Sequence, residues 1–337
     1  MTLSPSTRRK TARLLDALLA ALPGDADEAR SLAACVTDWS AVHEEARAQG
    51  VDGVVFFHLA ELGIELPASV RPEIETRLLA ERFRQERLAA SLDEALRALE
   101  GIPNVTIKGT ALAERIYPRP WLRRSTDVDI VVGFADAARA LAALEAIGFR
   151  DSRGAARLAP DLAESNFELD RAGSAHIELH FRLFIGFGSI VASEGFLERS
   201  IPHVTRGGAR TRVFGAEDEL LYLTAHAAGS WFARASWLYD LKLLLLENPG
   251  VDVAAVLQRA RELGLETAVR YGFATLHRRL RVSVPSAHGF RFGVATSLLR
   301  ASARLPEASA SARAAHAAFR FVLSDRMSAA MRRRLRV

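Results

Sequence analysis

The chain has 337 residues, of which 49% are hydrophobic and 25% charged, with a formal net charge of +5. That balance excludes a disordered segment, and the length leaves room for two or three packed units. The one cysteine, Cys35, excludes an internal disulfide framework and a cysteine-rich zinc site, which suits a cytoplasmic protein.

Arginine is spread along the whole chain, apart from the short runs Arg8-Arg9-Lys10 and Arg332-Arg333-Arg334. The excess positive charge is compatible with phosphate-bearing ligands or nucleic acid, and equally with solvated, arginine-rich helix faces. Charged residues interrupt every apolar run before it reaches the length of a membrane span. Near the N-terminus Asp16 breaks the run LLDALLAAL, so this segment reads as an amphipathic helix and not as a leader.

From about Thr11 to Glu100 the pattern is almost wholly helical, with Trp39, Val42 and Ala46, then Val55, Leu59 and Leu62, at helical spacing. Between Glu73 and Leu99 a long charged helix carries Leu78, Leu79, Phe83, Leu88, Leu92, Leu96 and Leu99 as an apolar stripe for the core. The turn Gly101-Ile102-Pro103-Asn104 leads into a short strand, Val105–Ile107. Lys108-Gly109-Thr110 and a helix to about Tyr117 follow, and then a proline-broken loop.

The next strand opens Asp127-Val128-Asp129 and continues Ile130-Val131-Val132. Successive strand side chains alternate between faces, so Asp127 and Asp129 share one face and Val128 and Ile130 the other. Two carboxylates side by side at the mouth of an apolar strand repel each other and desolvate badly. They call for a positive partner, and a divalent ion such as Mg²⁺ is the usual one.

A helix over Phe134–Ile147 precedes an Arg- and Ala-rich connection, a strand at Asn166–Leu169 and a hairpin turn at Asp170-Arg171-Ala172-Gly173. Ala175–Leu183 then alternates strictly. Ile177, Leu179, Phe181 and Leu183 point one way, and His176, Glu178, His180 and Arg182 the other. Beside the aspartate strand, Glu178 becomes a natural third carboxylate. The final third is helical: Glu217–Phe232, Ser236–Leu246 with Asp240 on an apolar helix, and three or four further helices before a basic tail, Met327–Val337.

Lys108-Gly109-Thr110, Arg123, Ser125, Asp127-Val128-Asp129 and Ile177-Glu178-Leu179-His180, in this order, resemble the DNA polymerase beta-like nucleotidyltransferase superfamily. The likeness is to its poorly characterised bacterial branch, in which Lys-Gly precedes an Arg-x-x-x-Asp-x-Asp strand. It also takes in Trp39, Tyr117-Pro118, His226, Trp237 and Asp240, and so spans about Asp38 to Leu246.

The resemblance implies an α/β (α+β) fold: a mixed-sheet catalytic core over 101–215, between an N-terminal helical region, 1–100, and a C-terminal helical domain, 216–337. It implies that Asp127, Asp129 and Glu178 hold two Mg²⁺ ions, with Glu178 as a candidate general base. Gly109 and Thr110 would receive the phosphates at a helix N-terminus, with Lys108, Arg123 and Ser125 supplying charge and hydrogen bonds. The turn carries Gly109-Thr110 where the family has Gly-Ser or Gly-Gly.

Each residue also has a plainer reading. Arg123 would pair with Asp127 or Asp129 when no nucleotide is bound, and Thr110 would be a helix N-cap. His180 would support the ligands from behind, and His226 and Trp237 would be core residues. Asp240 would contact ribose or base, or cap its neighbours. The implied reaction is Mg²⁺-dependent transfer of a nucleoside monophosphate from a nucleoside triphosphate, ATP by default, to a hydroxyl on a small molecule, a protein or RNA. The alternatives are a toxin-like tRNA nucleotidyltransferase and a non-catalytic nucleotide-binding module.

Overall fold

The computed structural model describes residues 5–151, 166–183, 187, 191–285, 293–302 and 309–325. Five helices come first: α1 (Pro5–Ala21), α2 (Ala26–Ala34), α3 (Trp39–Ala48), α4 (Asp52–Glu61) and α5 (Arg71–Ala98). Their starts follow from local chemistry. Asp25 and Asp38 cap α2 and α3 by accepting from the backbone N–H of Glu28 and Ala41, and Pro72 sits in the first turn of α5.

The middle of the chain alternates strands and helices: β1 (Asn104–Ile107), α6 (Gly109–Ile116), β2 (Asp127–Val132), α7 (Ala137–Ala146), β3 (Arg150–Asp151), β4 (Asn166–Asp170) and β5 (His176–His180). These strands form one mixed sheet in the order β1-β2-β5-β4-β3. Only β2 and β5 run parallel; β1, β4 and β3 pair antiparallel with their neighbours. The expected hairpin between β4 and β5 is present, with Gly173 at φ +79 in its turn. The short pairs β6 (Arg182–Leu183) with β7 (Val191–Ala192), and β8 (Ile201–Val204) with β9 (Arg210–Val213), flank α8 (Glu194–Arg199).

The helices α9 (Ala216–Gly229), α10 (Ala235–Glu247), α11 (Val253–Glu262), α12 (Glu266–Leu280), α13 (Gly293–Ser302) and α14 (Ala310–Val322) complete the described chain. The protein is therefore a mixed α/β molecule, and none of its described helices is long and apolar enough to cross a membrane.

The sheet has an apolar cluster on each face. Val128, Ile130 and Val132 of β2 and Ile177 and Leu179 of β5 pack with Leu88, Leu92 and Leu96 of α5 and Ala140 and Leu144 of α7. On the other face Val105, Ile107 and Val131 join Leu112 and Ile116 of α6, and one cluster runs on through both the early and the late helices. The regions 1–100 and 216–337 thus share a core. Arg279 of α12 forks onto Asp16 of α1 at 2.6 and 2.9 Å, and Lys242 of α10 donates to the carbonyls of Leu19, Ala20 and Leu22 at the end of α1.

Two expectations need correction. Leu79 and Phe83, expected in the apolar stripe of α5, are 54% and 60% exposed. Periodicity shows which face of a helix is apolar but not how far along it a neighbour reaches, and the sheet-face cluster takes up the stripe only from Leu88 onward. The alternation expected through Leu183 also breaks. β5 ends at His180, and Leu183 packs in the opposite cluster from Ile177, Leu179 and Phe181. The chain bends at Phe181, and Arg182 is buried with its guanidinium 4.9 Å from the Phe134 ring. Most of the Arg- and Ala-rich connection and the tail Met327–Val337 lie outside the described residues.

Candidate active site

The parallel register of β2 and β5 sets Asp127 opposite His176, Asp129 opposite Glu178 and Val131 opposite His180. Paired residues on strands under 5 Å apart point to the same face, so Asp127, Asp129, Glu178 and His180 all leave the sheet on one side. That is the side of the large helical cluster, while Val128, Ile130 and Ile177 fill the opposite core. The two acidic segments are about fifty residues apart in sequence, and pairing alone brings them together.

Lys108 reaches the same face from the end of β1. Its backbone has φ 52 and ψ −148, a conformation an L side chain adopts only when its surroundings hold it there, and Gly109 follows at φ 46. This double left-handed turn starts α6 beside β2. A Cβ on Gly109 would lie 3.7 Å from the Asp127 carbonyl, so the turn fits close against the strand.

The Lys108 Nζ donates to Asp129 Oδ1 at 2.9 Å, and His180 Nε2 bridges Asp129 Oδ1 at 3.0 Å and Glu178 Oε2 at 3.2 Å. Burial opposes the charge on Asp129, but Lys108 and His180 outweigh it and hold that carboxyl far below the usual range. Glu178 is also held below its ordinary value, chiefly by its hydrogen bond to His180. Asp127 is the exception. Burial and then the neighbouring Asp129 push its carboxyl up, with Glu178 adding to the effect and Lys108 only partly offsetting it. Asp127 thus sits in a site short of positive charge.

Arg123 does not pair with Asp127 or Asp129 as expected. Its guanidinium forks onto Asp240 of α10 at 2.8 and 3.0 Å, and its third nitrogen donates to Ser125 Oγ at 2.7 Å. Asp240, 1% exposed, also accepts from Tyr117 Oη at 2.8 Å. A buried guanidinium with a planar fork takes the best-aligned carboxylate available, and that one lies on the distant α10. Gln85 of α5 fixes the same loop by donating to the Ser125 carbonyl at 2.9 Å.

Thr110 does not cap α6, whose N-cap is Lys108. It lines a separate cavity of about 390 Å³ between α5, α6 and the turn after β8, with Gln85, Asp93, Glu114, Trp121 and Arg206. Several polar groups of that cavity are tied into the fold, among them Asp93 to Thr205 and Glu114 to the Arg206 N–H.

The acids themselves face a cavity of about 460 Å³. Its floor is Lys108, Gly109, Arg123, Ser125, Asp127, Asp129 and Glu178, and its roof is the turn between α9 and α10 with Trp231, Arg234 and Trp237. A second space of about 270 Å³ shares Lys108, Glu178, His226, Gly229, Ser230 and Arg320 with the first and adds His180 and Tyr222. Asp240 is absent from both linings.

His226 and Trp237, expected in the core, stand at the cavity wall 5.5 Å apart and edge to face. Burial and nearby Lys108 hold His226 well below its ordinary value, so it is neutral. Trp231, Arg124, Arg234 and Arg320 escaped sequence reading altogether. Trp231 has φ 46, which no residue pattern foretells, and Arg320 reaches the site from the distant helix α14.

Hard divalent cations prefer oxygen donors, and three carboxylates lining one cavity meet that need. Donor atoms of Asp129, Glu178 and His180 lie within 4.8 Å of one another, with Asp127 outside that grouping but on the same cavity. The raised carboxyl of Asp127 is the sign that one more positive charge would be favourable there. The residues therefore fit a divalent ion. His43, Glu44 and Glu73 form another grouping of ligand atoms, but Arg77 already pairs with both glutamates at 3.3 and 2.6 Å.

Paired acids and a Lys-Gly turn on one cavity wall suit a phosphate-bearing ligand. Residues 36–281 match the family described as uncharacterised nucleotidyltransferase, so the chain belongs to that family and is a nucleotidyltransferase. No curated protein matches it.

Among solved structures it is similar to the antibiotic-resistance factor ANT(2'')-Ia, whose solution structure shows substrate-regulated conformation dynamics. The identity is 15% over 56% of this chain and 95% of that one, with a TM-score of 0.36. It is also similar to an antigenic nucleotidyltransferase-like protein from Paracoccidioides brasiliensis, at 14% identity over 55% and 93% of the two chains and a TM-score of 0.33. Both likenesses are remote, and the family assignment stands without them.

Proposed function

We propose that this nucleotidyltransferase moves a nucleoside monophosphate from a nucleoside triphosphate, ATP by default, to an acceptor hydroxyl and releases pyrophosphate. The observation that carries the proposal is the β2–β5 register, which gathers Asp127, Asp129 and Glu178 on one wall of a cavity that Lys108 also enters. In the reaction the acceptor oxygen bonds to the α-phosphorus, the bond from that phosphorus to the β-bridging oxygen breaks, and the acceptor proton leaves to a base.

Asp127, Asp129 and Glu178 are the residues that would hold Mg²⁺, with His180 orienting Asp129 and Glu178 through its bridging hydrogen bonds. Bound there, the ions would offset charge on the phosphoryl group. Lys108 adds a fixed positive charge at the same wall, and the N–H groups opening α6 at Gly109 supply donors for phosphate oxygens. Glu178, whose side chain lines the cavity, would take the acceptor proton.

Arg123 and Asp240 act at one remove. Their buried fork ties the loop before β2 to α10 and so fixes Ser125 and the aspartates against the roof. A purely regulatory nucleotide-binding module is disfavoured, because buried, mutually repelling acids reduce stability and bring nothing to a site that only binds.

The test uses ATP labelled at the α-phosphate, Mg²⁺, and separate pools of tRNA, protein and small molecules, with wild type and Asp129→Asn. Label should enter one pool with wild type and not with the variant. Uptake into tRNA alone would select the toxin-like reading. No uptake in any pool, with ATP bound and unchanged, would leave only the regulatory module.

A further inference from the structure

Leaving aside Arg234, which is exposed to solvent, the cations of the main cavity differ in one respect that bears on its ligand. Lys108 is paired with Asp129, Arg123 with Asp240, and Arg124 with Asp52 and Glu81 at 3.6 and 3.4 Å. Arg320 has no carboxylate partner among the described residues, and its buried Nε makes no hydrogen bond. It lines both the 460 Å³ and the 270 Å³ spaces, across from Lys108 and Glu178. Burial alone pulls its guanidinium below the ordinary value, and no acid among the described residues offsets that.

The side chain is nonetheless held in place. Its guanidinium carbon lies 5.3 Å from the centre of the Trp231 ring, and that ring stacks on His316 at 3.5 Å with 8° between the planes. His316 and Arg320 are one helical turn apart on α14, so they meet Trp231 from the same face of that helix. Phe319, 1% exposed, anchors α14 against Tyr271 of α12. A cation with no acid partner among the described residues, fixed in this way on a cavity that three carboxylates also line, fits a ligand that meets cations at both ends. A polyphosphate does so: it reaches the acids through divalent ions and the guanidinium directly.

We infer that Arg320 binds the β- and γ-phosphates of the donor nucleotide, the part that leaves as pyrophosphate, and that the Trp231–His316 stack positions it. The inference rests on the nucleotidyl-transfer reading of the site. It places a substrate-binding residue on α14, beyond the family-matched region 36–281. As the bond between the α-phosphorus and its bridging oxygen breaks, negative charge gathers on the departing pyrophosphate, to whose oxygens a planar guanidinium donates two parallel hydrogen bonds.

The test is calorimetric titration of wild type, Arg320→Met and Arg320→Lys with Mg·ATP, Mg·pyrophosphate and AMP at one ionic strength, with melting temperatures measured alongside. Loss of a charge-assisted hydrogen bond weakens binding roughly tenfold or more. Arg320→Met should therefore lose about that factor for ATP and pyrophosphate while keeping its AMP affinity within about twofold and its melting temperature. Arg320→Lys, with charge but no fork, should fall between. ATP affinity in Arg320→Met equal to wild type would overturn the Arg320 assignment and leave the nucleotide reading standing, as would an equal loss for AMP. Wild type that binds no nucleoside triphosphate would overturn both.

Discussion

At the scale of single residues, the site places its two aspartates under opposite constraints. Asp129 neutralises Lys108 and pairs with His180, so truncating it strands the buried Lys108 cation and leaves His180 without one partner, and Asp129→Ala should cost about 3–5 kcal/mol in urea unfolding. Asp129→Asn keeps the shape and should fold, yet lose roughly a hundredfold or more of its transfer rate. Asp127 is held up by burial and by its acidic neighbours, so its charge weakens the metal-free fold. Asp127→Asn should then melt at or above the wild-type temperature in the presence of a chelator, while transfer is lost. A clear drop in its melting temperature would mean that Asp127 is a structural residue. That the two aspartates share a face was legible because strand alternation is a strict rule, while Glu178 joined them through the family resemblance. The fork from Arg123 to Asp240 was not, since pairing across more than a hundred residues leaves no local pattern.

Among elements, α10 matters most to the site. It contributes Trp237 to the cavity wall and Asp240 to the buried fork, and its Lys242 closes the end of α1. Asp240→Ala would leave the Arg123 guanidinium buried without an acid, at an expected cost of about 3–5 kcal/mol. It should also lower nucleotide affinity, because Ser125 and the start of β2 lose their tie to α10. Denaturant unfolding measures the first effect and calorimetry the second, and normal stability with lost binding would instead make Asp240 a direct ligand. The helices and sheet strands were largely readable from periodicity and turn residues. The bend at Phe181 that ends β5 was not, because Arg182 and Leu183 continue the alternation on paper while changing partners in space.

At the scale of the whole molecule, the early and late helices share one core on one face of the sheet, and buried histidines make that core sensitive to acid. Burial holds His43, His58 and His226 below their ordinary values. Below about pH 6.5 the unfolded chain takes up protons at these positions that the folded chain refuses, so stability falls as pH drops through that range. His180 is raised by its carboxylate partners and acts in the opposite sense, its contribution being lost only as pH rises above the ordinary histidine value. The melting temperature should therefore fall between pH 7.5 and 5.5, and less so in His43→Leu; a flat profile would contradict the burial of these rings. How the helical halves share one core could not be read from sequence, because an apolar stripe does not name its partner. The central claim is that Asp127, Asp129 and Glu178 together hold divalent cations beneath the nucleotide. Its most direct test is anomalous diffraction from crystals soaked with Mn²⁺ and a non-hydrolysable ATP analogue. The account predicts anomalous peaks at these three carboxylates, absent in Asp129→Asn; peaks only elsewhere, such as at His43, Glu44 and Glu73, would contradict it.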